Sequence, residues 1–171
     1  SLADATQFKK VAKIIQSDES RRFVVPSAPG KRFSEDIKVT DLLYQAYNAK
    51  DNKTFETIFD QIKHRFQNII DELNLDLSLE NEFKVIKKAF LEKVGIDYAA
   101  SRGEYLNGIV LANYLGFEFI DASEVIFIDE NGNYDETKTD PILSKRLSKV
   151  KNAVIPGFYG SLNDGSKKIK T

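Results

Sequence analysis

The sequence contains no cysteine, no methionine and no tryptophan, and only one histidine. Without Cys there can be no disulfide, no thiolate nucleophile and no Cys-based zinc site. That composition fits a cytoplasmic protein. Neither sign of charge dominates. The 25 Lys and Arg are interspersed with 26 Asp and Glu for a net charge of -1, which argues against a nucleic-acid footprint or attachment to an anionic membrane. No apolar run approaches the ~20 residues of a membrane-spanning helix, and no signal peptide is visible. The chain does not open on Met, and the lack of Met across all 171 residues reads as a piece of a longer polypeptide. What is present is ordinary globular material, 42% hydrophobic and 30% charged. Its length suffices for one domain with a proper core.

Apolar periodicity predicts helices over Ala5 to Ile15 (with Asp4 as N-cap), Val39 to Ala49, Phe55 to Leu73, Asn81 to Val94, Tyr98 to Leu115 and Leu143 to Val150. Short apolar runs predict a buried strand at Phe23 to Val25, and strands at Phe117 to Ile120, Val125 to Ile128 and Ala153 to Tyr159. A turn over Leu162 to Gly165 leads to a returning strand over Lys167 to Thr171. Strands interleaved with helices predict an α/β fold, a sheet covered on both faces. The run of helices between Val39 and Leu115 reads as an insertion on that sheet.

Three places could carry chemistry. The loop Ser27-Ala28-Pro29-Gly30-Lys31-Arg32 comes after the first strand, where open α/β sheets bind ligands; otherwise it is a surface turn. Thr40 and Asp41 begin a helix, whose free amide groups favour an anion; otherwise Thr40 is a simple N-cap. In Ser101-Arg102-Gly103-Glu104 the glycine costs ~1 kcal/mol inside a helix, which a close backbone approach or a kink would explain. Glu104 then either faces a cation in a pocket or pairs on the surface with Arg102 or Lys93. His64 sits on a helix of mixed polarity and reads as solvated. The stretch Asp129 to Asp135 places its Gly too early for a calcium loop and reads as a polar turn. Lys167, Lys168 and Lys170 read as an exposed strand edge.

In order and spacing, these pieces resemble the aspartate kinases of the amino-acid kinase superfamily. Ser1-Leu2-Ala3-Asp4 resembles the stretch at the end of the family's opening Lys-Phe-Gly-Gly-Ser/Thr-Ser loop, with Ser1 as the last residue of that loop. Phe23 to Ala28 is similar to the strand that ends in Val-Ser-Ala, and Thr40-Asp41-Leu42-Leu43 to the Thr-Asn/Asp-Leu-Leu helix start. Gly103-Glu104 resembles the Gly-Glu helix, Phe119 to Ala122 the next strand and its Asp-Ala turn, and Gly157-Phe158-Tyr159-Gly160 the Gly-Phe-x-Gly strand. The family's opening Lys and Gly pair do not occur, nor does its Arg-Gly-Gly-Ser-Asp loop, expected just beyond Thr171. The loop from Pro29 to Asp36 is longer than in several family members.

The resemblance implies a three-layer α/β/α sandwich of the amino-acid kinase type. Residues 1–171 would be part of an N-terminal catalytic domain, with a helical insertion at about 39–115 and the regulatory domains elsewhere. It implies transfer of the γ-phosphoryl of ATP, as its Mg complex, to the β-carboxylate of L-aspartate, giving 4-phospho-L-aspartate for lysine, threonine and methionine synthesis. The implied aspartate-binding residues are Thr40, Ser27 and Ala28 at the reacting carboxylate, Glu104 at the α-ammonium and Phe158 lining the pocket. Ser1 would touch the nucleotide. A homo-oligomer joined through the regulatory domains is implied, and so is inactivity of the 171-residue segment alone, which lacks both phosphate-binding loops. The alternatives are a kinase for glutamate or acetylglutamate, or a non-catalytic α/β interaction module.

Overall fold

The computed structural model describes residues 2–171. In chain order the elements are α1 (Ala5–Gln16), β1 (Phe23–Val24), α2 (Val39–Tyr47), α3 (Asn52–Glu72), α4 (Glu80–Leu91), α5 (Ile96–Leu115), β2 (Glu118–Phe119), α6 (Ala122–Val125), β3 (Phe127–Ile128), α7 (Glu136–Leu147), β4 (Ala153–Val154), β5 (Gly160–Leu162) and β6 (Ile169–Lys170).

Strands β1, β4 and β2 form a parallel sheet in that order, with Phe23 and Glu118 both in register with Ala153. A second sheet has the order β3-β5-β6. Its β3 and β5 are parallel, and β5 and β6 form an antiparallel hairpin. Residues of β4 and its exit alternate between two cores, as the strand period requires. Val154 joins the large core built by α1 to α5, while Ala153 and Ile155 join a smaller one with Leu143 and Leu147 of α7. The parallel sheet is thereby covered on both faces, which makes three layers.

The long helix α3 buries Phe55, Phe59, Ile62, Phe66, Ile69 and Ile70 at the spacing its sequence predicts. Phe59 meets the edges of Phe83 and Phe90 at centroid distances of 6.4 and 6.1 Å. Helix α5 is buried on almost every side and packs against both β2 and β4. It tolerates that enclosure because Ala99, Ala100, Ser101, Gly103, Gly108 and Ala112 keep it thin.

Four expectations need correction. The first strand is not buried: Phe23 is exposed and Val24 half-buried, because β1 lies at the sheet edge and pairs with β4 alone. The predicted strand over Val125 to Ile128 begins as the short helix α6, capped by Asp121 accepting from the Ser123 amide at 2.9 Å. The predicted strand over Ala153 to Tyr159 stops after Val154, where Pro156, Gly157 and a Phe158 at φ 76° carry the chain across to the second sheet. Helix α7 starts seven residues earlier than its apolar spacing suggests. Asp135 caps it by accepting from the Lys138 amide at 3.0 Å, and Pro141 sits inside it. The buried Thr139 hydroxyl in that added stretch accepts from the Phe127 amide at 2.9 Å, tying the helix to β3.

Gly103 is explained by close approach, since a Cβ there would lie 2.7 Å from the Ala28 Cβ. Helix propensity alone predicts that Gly103→Ala stabilises by ~1 kcal/mol. Packing predicts the opposite, a loss of ~1–3 kcal/mol from overpacking. We expect the packing term to win and thermal melting to shift down; an upward shift would mean that the loop at Ala28 yields freely.

Candidate active site

The parallel strands β1 and β4 both leave the sheet at their C-terminal ends, the edge where open α/β sheets hold ligands. Their exits are joined by the Gly157 amide, which donates to Pro26 O at 3.1 Å. Helix α5 lies against both. Gly103 faces Ala28, and a Cβ on Gly108 would come within 2.9 Å of the Pro156 ring. Between these two glycines, Glu104 and Asn107 reach the same loop. The Ala28 amide donates to Glu104 Oε1 at 3.2 Å, and Asn107 Nδ2 donates to Ser27 O at 2.7 Å.

Glu104 is 6% exposed and Asn107 is fully buried. The remaining polar atom of each, Glu104 Oε2 and Asn107 Oδ1, is an oxygen buried without a donor. Burial raises the Glu104 carboxyl above its ordinary value, and the bond from Ala28 only partly offsets this. A surface pairing of Glu104 is thereby ruled out. Arg102 turns to the opposite side of the helix, and Lys93 donates to Tyr47 O instead.

The N-terminus of α2 comes up beside this place. The Val39 amide donates to Pro29 O at 3.1 Å, and Val39 and Leu43 lie against Gly103. Thr40 is not the cap of α2. Lys38 holds that position, with no side chain closing the helix end. The amides of Thr40 and Asp41 have no acceptor among the described residues, so this end stays open to an anion.

The connection between Ala28 and Thr40 is strapped to α3. Arg65 donates to Gly30 O and to Ile37 O, each at 2.7 Å, and its Nη1 lies 3.3 Å from Asp36. Arg32 grips Asp36 with two further bonds of 2.7 and 2.9 Å. These guanidinium contacts, Arg32 foremost, hold the Asp36 carboxyl well below the usual range.

Of the residues singled out from sequence, Ser27, Ala28, Glu104 and the helix start at Thr40 come together. Phe158 lies on the neighbouring exit, 56% exposed and in the left-handed backbone region. Ser1 lies outside the described residues. His64 is exposed, and Asp129 to Asn133 is a polar turn closed by the Asp129 carboxylate. Sequence reasoning missed Asn107, Arg65 with Asp36, and the setting of Arg102. The Arg102 guanidinium is buried among three tyrosine rings, 4.3 Å from the centroid of Tyr105, 4.4 Å from Tyr98 and 5.3 Å from Tyr159. It also borders a separate cavity of about 640 Å³. The one available signal for Asn107 was its place three residues after Glu104, on the same helix face and just before the apolar run Ile109 to Ala112.

Fold and site together define an α/β protein of three layers, with a buried carboxylate and an open helix N-terminus set side by side at the C-terminal ends of parallel strands. In sequence and fold the chain is a homologue of aspartokinases. It is 31% identical to Aspartokinase 3 of Bacillus subtilis over 182 aligned positions, covering 96% of this chain and 40% of that protein. The aspartate kinase of Clostridium acetobutylicum superposes on all of it with a TM-score of 0.93 and 48% identity. E. coli aspartokinase III, solved with aspartate and ADP, shares the fold at a TM-score of 0.80 and 20% identity. The chain spans about two fifths of the length of these relatives. No family model matches the sequence.

The raised Glu104 carboxyl makes stability depend on pH. A group whose folded value lies above its unfolded one stabilises fully below the ordinary Glu range, and that contribution is lost as pH rises through the raised value. Glu104→Gln in the unliganded protein should therefore melt higher than the parent at pH 8. The gap should close toward pH ~4, where unfolded Glu also takes up its proton. Melting curves across that range check this; a gap that is independent of pH would place Glu104 in solvent.

Proposed function

We propose that this segment forms the amino-acid-binding side of an aspartate kinase, which transfers the γ-phosphoryl of ATP to the β-carboxylate of L-aspartate. Glu104 carries the reading. It is a buried carboxylate with one oxygen fixed by a backbone amide and the other free. An α-ammonium supplies the charge and the donor that this oxygen lacks, and a charge-assisted bond of this kind is stronger than a neutral one. The kinship with aspartokinases supports the same substrate, as does the pairing of E. coli aspartokinase III with aspartate and ADP in its crystals.

The reacting carboxylate would lie at the start of α2. There the free amides of Thr40 and Asp41 and the helix dipole favour negative charge, with the Thr40 hydroxyl and the backbone of Ser27 and Ala28 alongside. A carboxylate is already an anionic nucleophile, so no strong base is needed. Catalysis reduces to holding two anions in line and offsetting their charge. Phe158 would border the pocket. Mg accompanies ATP in this reading. Among the described residues no three His, Cys, Asp or Glu side chains gather to hold an ion.

Residues 1–171 are then part of the catalytic domain, with the helices of about 39–115 as its lobe. Regulatory domains and a homo-oligomer built on them belong to the rest of the polypeptide, in the cytoplasm. No helix among the described residues is long and apolar enough to cross a membrane.

The test is aspartate- and ATP-dependent hydroxamate formation by the complete polypeptide that carries this sequence. Glu104→Ala should raise KM for aspartate about 30-fold or more, the scale of a lost buried charge contact. Thr40→Ala should lower kcat as well, because it touches the reacting end. Neither should move KM for ATP much. Unaltered aspartate kinetics in Glu104→Ala would sink the assignment.

A further inference from the structure

Glu104 Oε2 and Asn107 Oδ1 are both buried acceptors that accept nothing. Three residues apart on α5, they occupy the same face, one turn above the other. Each residue is also anchored through its other polar atom to the same two-residue stretch, Glu104 to the amide of Ala28 and Asn107 to the carbonyl of Ser27. That second bond fixes which way the amide of Asn107 points. Its nitrogen is committed to Ser27 O, so the atom left over is an oxygen.

Native folds seldom leave a buried acceptor empty, and here two are left empty on one face. Their chemistry is complementary to a positively charged group with several N–H donors. It is hostile to a group that presents a lone pair.

We infer that Asn107 Oδ1 is a second ligand of the substrate's α-ammonium and a determinant of selectivity for a free primary amine. The inference rests on the reading of Glu104 as the counter-ion of that ammonium. Glu104 takes one N–H and the charge, and Asn107 takes another N–H. An N-acylated acid has one N–H, no charge, and a carbonyl oxygen that would meet two acceptors. Such an acid loses both contacts and gains a repulsion. A deaminated acid leaves both oxygens as empty as they are in the free protein.

The experiment compares L-aspartate with succinate, its deaminated analogue, in the complete polypeptide. KM is measured for aspartate, and succinate is read as a competitive inhibitor. Asn107→Leu should raise KM for aspartate about tenfold, the scale of one hydrogen bond to a charged group. The inhibition constant of succinate should move clearly less than KM for aspartate, since succinate loses the brace on Ser27 but no bond to that oxygen. If Asn107 only braces Ser27, both constants shift together, and that result overturns the inference, as would no shift in either. Should the leucine variant fold poorly, Asn107→Ala removes the same oxygen without added bulk and is held to the same outcomes. Glu104→Ala run alongside separates the two claims. Selectivity lost with Glu104 but not with Asn107 defeats the inference alone. No selective effect from Glu104 defeats the reading beneath it.

Discussion

The close seating of α5 on the exit of β1 is the constraint on which the rest of the site depends. The helix can come that near only because position 103 has no side chain, leaving the Cβ of Ala28 as the contact surface. At that separation two side chains on the same helix face reach backbone atoms of the loop and fix them, Glu104 at Ala28 and Asn107 at Ser27. A bulkier residue at 103 would lift the helix and stretch both bonds together. Gly108 repeats the device further along the helix, against Pro156 at the exit of β4. One helix thus sets the positions of both strand exits, and the space between them is defined by rigid elements rather than by loop preference.

A second constraint acts from the far side of the loop. The span from Ala28 to Thr40 is long enough to wander. Arg65 closes it by binding carbonyls near its two ends, Gly30 and Ile37, while Asp36 joins Arg65 to Arg32. A buried guanidinium with several acceptors suits that task, because its donors diverge in a fixed plane. Its counterpart on α5, Arg102, shows a different solution to the same problem of burial. Among the described residues no carboxylate lies within ion-pair distance of it, and three tyrosine faces surround it instead. One of those rings, Tyr159, donates its hydroxyl to Asp121 at 2.9 Å. The fold therefore commits its buried polar groups to loop position and helix seating rather than to surface ion pairs.

How far all this was legible depends on which physical signal was strong. The amphipathic period of α3 and the extent of α5 were read directly, because long helices repeat their pattern several times. The strands are two or three residues long, too short for alternation to register, so their limits were set by tertiary pairing and by the break at Pro156 to Phe158. The start of α7 lay hidden because Glu136 to Pro141 carries no apolar spacing; the cap at Asp135 and the tie from Thr139 fix it instead. Thr40 looked like a cap and is not one. Ser27, Ala28 and Glu104 were singled out from sequence, and the fold brings them together. Asn107 was not, because a lone Asn inside a helix has many ordinary explanations, and only its unpartnered oxygen distinguishes this one.

The site divides its labour by rigidity. The acceptors for a cation, Glu104 and Asn107, stand on a helix buried on almost every side and held by two sheet exits. The donors for an anion, the free amides of Thr40 and Asp41, belong to a helix whose start is fixed less directly, through Val39 and the strapped loop before it. On the proposed reading, a substrate with an ammonium at one end and a carboxylate at the other would be gripped at its unreacting end by the more enclosed element. The end where charge is redistributed during transfer would then face backbone dipoles, which are in place before the reaction starts. Reversing that arrangement would put a desolvated carboxylate next to the incoming phosphate, where two anions already repel. Glu104 and the start of α2 are held against one loop, Glu104 by the Ala28 amide and α2 by the bond from the Val39 amide to Pro29 O.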